Sequence, residues 1–116
     1  MFKFEKLEVW QKAIEVGYYI HELTRKFPKE ELYILTSQIK RAADSTALNI
    51  AEGSTGQSNA EFSQFIGYAI RSAIEVVSCL HIGKRRNLVG KEEFGKLYKE
   101  LEVIIKMLQS LRKSLK

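Results

Sequence analysis

The chain has 116 residues, which suits a single domain over residues 1–116 with one small core. Hydrophobic residues make up 45% and charged residues 28%, values that exclude a disordered chain. A formal charge of +5 is mildly basic: it admits a polyanionic partner, and it equally fits lysines placed at helix C-termini.

Four helical segments are predicted in chain order, separated by three short breaks. The first runs from about Phe4 to Lys26 and stops at Phe27-Pro28, because a residue before proline is pushed out of helical geometry. Proline then opens a second helix over about Lys29–Gly53. After the break GSTGQS, Ser58 and Glu61 have the spacing of a capping box, which starts the third helix near Asn59 and carries it to about Lys84. The turn RRNLVG leads to a fourth helix from about Lys91 to the C-terminus. Apolar residues recur at helical spacing in each segment, for example Leu32, Leu35, Ile39, Ala42 and Ala43 in the second. Short breaks make neighbours antiparallel, so the predicted fold is an all-α, up-down-up-down four-helix bundle.

The first segment is apolar round more of its circumference than one core requires. Val9, Trp10, Ala13, Val16, Gly17, Ile20, Leu23 and Phe27 make one face, and Leu7, Ile14 and Tyr18 extend it round a second side. A second subunit packed on Leu7, Ile14 and Tyr18 is one account of the excess, and loose packing of a wide core is the other.

Polar residues also recur on the second segment. Gln38, Arg41, Ser45, Asn49 and Glu52 fall on one side of it, and Ser72 and Glu75 flank the core face of the third. In a hairpin these form a polar seam between helices or subunits, with Arg41 level with Arg71 to Glu75. A buried Arg41–Glu75 pair would make Arg41→Ala cost about 3–5 kcal/mol. A solvated flank is the alternative, and the alanines and Leu48 around the stripe weigh against it. Glu52 and Asn49 are also placed to tie down the following turn.

QIKRAADSTALNIAEG at Gln38–Gly53 resembles the signature of the bacterial four-helix-bundle family named for proteins encoded in 23S ribosomal RNA intervening sequences. LEVWQKA at Leu7–Ala13, LTRKFPKEELYIL at Leu23–Leu35, and Phe62, Phe65, Ala69, Ser72 and Glu75 extend the resemblance over nearly the whole chain. Thr46 stands where that family usually has an aliphatic residue. Arg71 stands where it often has glycine, which puts a close helix approach there in doubt and offers Glu75 a second partner. The resemblance implies a protomer similar to those that close into a homo-oligomeric ring, commonly a pentamer. It also implies similarity to the accessory protein of diversity-generating retroelements, a basic ring that binds nucleic acid and a reverse transcriptase.

Signatures of catalysis are sparse. His21 and His81 lie on different segments without metal-ligand spacing, Asp44 is the one aspartate, and Cys79 and His81 are two apart, so they do not face each other on a helix. The expectation is a protein that is not an enzyme and takes no metal or cofactor. A lone cysteine excludes an internal disulfide and suits a reducing compartment. The charged N-terminus is unlike a signal peptide, and no apolar run approaches bilayer length, so a soluble cytoplasmic protein without a membrane partner is expected.

Basic residues gather at two ends of the predicted bundle. Arg25, Lys26 and Lys29 join Lys84, Arg85 and Arg86 at one, where Glu30, Glu31, Glu92 and Glu93 dilute the field; Lys3, Lys6, Arg112, Lys113 and Lys116 lie at the other. No aromatic residues interleave with them, so the first group is expected to bind RNA or DNA through the phosphate backbone, with steep salt dependence and little sequence preference. The alternative is an adaptor oligomer whose partner is a protein, its basic residues being ordinary helix-end charges.

Overall fold

A computed structural model describes residues 1–56 and 58–116. Gln57, within the predicted GSTGQS break, lies outside the described residues. Four α-helices follow one another: α1 (Glu8–Thr24), α2 (Ser37–Ser54), α3 (Asn59–Arg85) and α4 (Lys91–Ser114). The chain measures 43 × 23 × 22 Å. Helices of this length span about 25–40 Å at 1.5 Å per residue, so they lie along the long axis. Consecutive helices pack on each other and α4 returns to α1, which matches the expected all-α bundle.

The first predicted helix divides in two. Leu7 is extended (φ −79°, ψ 119°), so a 3₁₀ turn over Lys3–Lys6 precedes α1 rather than joining it. Glu5 closes that turn. Its carboxylate accepts from the Phe2 N–H at 2.8 Å, and its carbonyl accepts from Gln11 Nε2 at 2.8 Å. Phe4 meets Trp10 edge to face at 4.9 Å, which folds the N-terminal turn back onto the bundle.

The second predicted helix also differs from the expectation. Pro28 leads into a 3₁₀ turn over Lys29–Glu31, then a π-helical turn over Leu32–Thr36, and only then α2. A π turn holds an extra residue, which shifts the phase of the apolar stripe. Leu35 and Thr36 are buried, whereas Leu32, expected in the core, is exposed together with Tyr33 and Ile34.

The most extensive packing is between α2 and α3. Small side chains permit it: Ala42, Ala43, Ala47, Ala69 and Ala73 are all buried. Gly53 ends the contact, where an added Cβ would stand 2.6 Å from Phe65 Cβ and 3.0 Å from Phe62 Cδ1. Thr46 sits in the core because its hydroxyl donates to the Ala42 carbonyl at 2.9 Å. The capping box at α3 is half formed. Ser58 Oγ accepts from the Glu61 N–H at 3.1 Å, without a return bond from the Glu61 side chain.

The α3–α4 turn is built on Asn87, whose φ of 63° is left-handed. Leu88 N–H donates to the Gly83 carbonyl at 2.8 Å and Asn87 N–H to the Lys84 carbonyl at 3.1 Å, the pairing of a Schellman cap. Val89 then presses on Gly83, where a Cβ would come within 2.6 Å of it. This cap fixes the positions of Lys84, Arg85 and Arg86.

The expectation that no apolar run reaches bilayer length fails for α3. It is 27 residues long, with a stretch of mean hydropathy 1.4, and is the one described helix long and apolar enough to cross a membrane. Within the bundle that apolarity has another use, since α3 packs on both α2 and α4 and buries Ile66, Ala69, Ala73, Val76 and Leu80.

Candidate functional site

Three surfaces hold the residues singled out in the sequence. On the first, between α2 and α3, Ser45 Oγ and Ser72 Oγ share a hydrogen bond at 3.0 Å. Asn49 Nδ2 donates to the Ser45 carbonyl at 2.9 Å and to Ser45 Oγ at 3.0 Å. Gln38 Nε2 donates to Glu75 Oε2 at 3.3 Å. The structure therefore brings Gln38, Ser45, Asn49, Ser72 and Glu75 together.

Arg41 departs from expectation. It is exposed and makes no ion pair among the described residues, because Gln38, one turn earlier, holds the Glu75 carboxylate. It lines a shallow hollow with Tyr33, Ile34 and Glu75 instead. Arg71 is exposed and likewise does not pair with Glu75. Glu52 is exposed, and Asn49 bonds back along its own helix rather than to the turn. The end of α2 is tied by Ser54 Oγ, which donates to the Ala51 carbonyl at 2.8 Å, and by Thr55 Oγ1, which donates to the Glu52 carbonyl at 2.8 Å.

The second surface is an open groove of about 700 Å³ between α1 and α2. Phe4, Trp10, Ile14 and Tyr18 form one wall; Ala43, Ala47, Leu48 and Ala51 form the other. Leu48 is 66% exposed, Tyr18 57% and Ile14 46%, large values for apolar side chains lying side by side. Leu7 differs from its two companions, being half-buried against the core. At one end of the groove His21 Nε2 stands 3.5 Å from Asp44 Oδ2, and Tyr18 OH donates to Glu22 at 3.4 Å. Sequence spacing gave Ile14 and Tyr18, and it placed Trp10 on the apolar face of the first helix. It did not join Leu48 to them or see the His21–Asp44 pair, whose partners lie on different helices.

The third surface is the end that carries the first basic cluster, and most of it is already engaged. Arg86 Nη1 donates to both oxygens of Glu31, at 3.1 and 3.2 Å. Lys26 pairs with Glu93 at 3.2 Å, and Arg25 with Glu22 at 3.1 Å. Lys84 Nζ sits 4.5 Å from the centre of the Phe94 ring. Arg85 and Lys29 are exposed. The expectation that aromatics avoid the basic residues fails here, since His81, Phe94 and Tyr98 cluster beside Lys84. Residues 81 and 84 belong to α3 and residues 94 and 98 to α4, so only the fold unites them. At the other end Arg112 Nε donates to Ser63 Oγ at 3.3 Å and lies over Gly67, while Lys3 stands 5.1 Å from the Phe62 ring.

Cys79 is buried, and burial, reinforced by the nearby Glu75 charge, raises its thiol pKa above the usual range. The thiolate needed for nucleophilic chemistry is thus disfavoured. His81 is turned onto Phe94 and Tyr98. Among the described residues no three histidine, cysteine or carboxylate side chains cluster as metal ligands would.

The family model for the 23S rRNA-intervening sequence protein matches residues 5–110. The chain belongs to that family. The matched region takes in the α1–α2 groove, the polar seam and the α3–α4 turn, and reaches into the last turns of α4. The chain is also similar to a protein of unknown function from the S23 ribosomal protein family of Bacteroides thetaiotaomicron VPI-5482, known from its crystal structure. The two are 26% identical with a TM-score of 0.84, over 90% of this chain and 95% of that one. No curated protein gives a match. Membership thus agrees with the resemblance carried by Gln38–Gly53, and it comes without an assigned biochemical role.

Proposed function

We propose that this member of the family is a non-enzymatic assembly protein. Copies join through the α1–α2 groove into a closed ring, five being the number the family resemblance implies. The ring repeats the basic ends of the bundle toward the phosphate backbone of RNA or DNA. The observation that carries the reading is the groove: Ile14, Tyr18 and Leu48 expose a contiguous apolar surface that a lone chain leaves against water. At the first basic end Arg25, Lys26 and Arg86 are already paired, which leaves Lys29, Lys84 and Arg85, so affinity comes from repetition, which raises the effective concentration of every patch after the first.

A fluorescence titration of labelled single-stranded RNA and of duplex DNA, repeated between about 50 and 200 mM salt, tests the nucleic-acid half. Affinity should fall steeply with salt and differ little between sequences. Replacing Lys84, Arg85 and Arg86 together by alanine should lower the salt slope by about two rather than three, because Arg86 is held by Glu31. Those same ion pairs favour a second reading, an oligomeric adaptor with a protein partner. An assembled protein that binds neither nucleic acid at low salt would decide for it.

A further inference from the structure

We propose that the Tyr33–Ile34 turn of one copy seats in the α1–α2 groove of a second copy, so that assembly runs head to tail. The inference rests on the homo-oligomeric reading above and names its two surfaces.

The groove is concave and apolar. Two such grooves laid face to face enclose a gap, and atoms lining a gap forfeit their dispersion contacts. A convex apolar element is the complement. Tyr33 is 90% exposed, the highest value among the large apolar side chains described, and Ile34 beside it is 58% exposed. Both stand on the π turn that enters α2. Tyr33 stands on the π turn before α2 and borders the hollow that ends at Asp44, whereas Ala47 and Ala51 of the groove wall lie about 20 Å or more further along the helical path, beyond the reach of its side chain. Phe2 is exposed as well, but its ring stacks on Phe4 at 5.9 Å, and Phe4 lines the groove. Phe2 therefore lengthens the wall rather than supplying the knob.

Charge points the same way. Lys40 and Arg41 border the hollows beside Tyr33, forming a basic collar round the turn. The receiving end of the groove carries Asp44, whereas Glu22, next to Tyr18, is already held by Arg25 of its own chain. Asp44 also borders the hollow beside Arg41 of its own chain, yet the one basic side chain within 4 Å of its carboxylate among the described residues is His21. Its carboxylate is half exposed and open to a cation of the neighbouring copy. A tyrosine entering an apolar pocket inside a polar rim is the usual anatomy of an interface anchor. Knob and groove are different patches, so the contact is heterologous: each bound copy still presents one free knob and one free groove, and the series ends when rotation closes it.

Two variants test this, Tyr33→Glu in the knob and Leu48→Glu in the groove. Both side chains are exposed, and circular dichroism melts will establish that each variant folds. Each alone should have the mass of one 13.4 kDa chain. Mixed in equal amounts they should form a heterodimer and nothing larger. The Leu48→Glu chain supplies an intact knob and the Tyr33→Glu chain an intact groove, which restores one junction. Trp10, the only tryptophan, lines the groove and should report the mixing by a change in emission. A Tyr33→Glu variant that assembles like the parent, or a mixture that stays monomeric, would overturn the proposal while leaving the oligomer standing. A monomeric parent would instead sink the homo-oligomeric reading beneath it.

Discussion

One substitution at two glycines separates packing from helix propensity. Gly53, near the end of α2, and Gly95, in α4, both have ordinary negative φ, so alanine is compatible with either backbone. At Gly95 an added methyl meets nothing within 4 Å. There the gain in helix propensity acts alone, and Gly95→Ala should stabilise by about 0.5–1 kcal/mol. At Gly53 the methyl would arrive 2.6 Å from Phe65 Cβ, an atom that moves only with the α3 backbone. Relieving that overlap means prising α2 from α3 where their backbones approach closely, a strain of about 1–3 kcal/mol. The propensity gain offsets part of it, leaving Gly53→Ala destabilised by about 1–2 kcal/mol. For a chain of this size each kcal/mol moves Tm by about 4 °C. Thermal melts at one fixed protein concentration should therefore shift in opposite directions, up for Gly95→Ala and down for Gly53→Ala. A Gly53→Ala variant that melts at or above the parent would refute the close approach of α2 to Phe65.

Three further outcomes follow from named contacts. Arg41→Ala should change the unfolding free energy measured in urea by less than about 1 kcal/mol, because Arg41 is exposed, and makes no ion pair among the described residues, rather than buried against Glu75. A double-mutant cycle on Arg86 and Glu31 should give a coupling of about 0.2–1 kcal/mol, reduced by salt, since Arg86 is half exposed. Cys79 should react with thiol reagents far more slowly in the native protein than in urea, and its pH dependence has a defined sign. Its folded pKa is raised by burial and by Glu75, so this contribution to stability is complete below the unfolded value of about 8.5. It is lost as pH climbs through the folded value, and in Cys79→Ala that alkaline loss should be absent.

Helix number, order and approximate limits were legible because each segment repeats apolar residues at 3.6-residue spacing and is bounded by Pro28, Ser58 or the Asn87 turn. Two local features were not. The extended backbone at Leu7 depends on Glu5 reaching the Phe2 N–H and on Phe4 meeting Trp10, contacts that periodicity does not encode. The π turn at Leu32–Thr36 adds one residue to the helical phase, which a straight helical projection reads as continuous core. Within the candidate surfaces, Ile14 and Tyr18 were visible as excess apolar residues on one helix. Leu48 was noticed only as an apolar neighbour of the polar stripe, because α2 has few other outward apolar residues. The Arg41–Glu75 pairing failed on the partner and not on the level: both residues border one hollow, but Gln38 reaches Glu75. The glutamates at the basic end were visible in sequence, but not which cation each would hold. Glu31, in the 3₁₀ turn before α2, and Glu93, in the first turn of α4, fold against Arg86 and Lys26.

Self-association through the α1–α2 groove is the claim on which both the proposed role and the knob-in-groove contact stand. The most direct test is the mass of the unmodified chain by sedimentation equilibrium, at protein concentrations from submicromolar to tens of micromolar. Assembly through the groove predicts a defined multiple of 13.4 kDa across the upper part of that range, reduced to a single chain by Leu48→Glu. A parent that sediments as one 13.4 kDa chain at every concentration would contradict it.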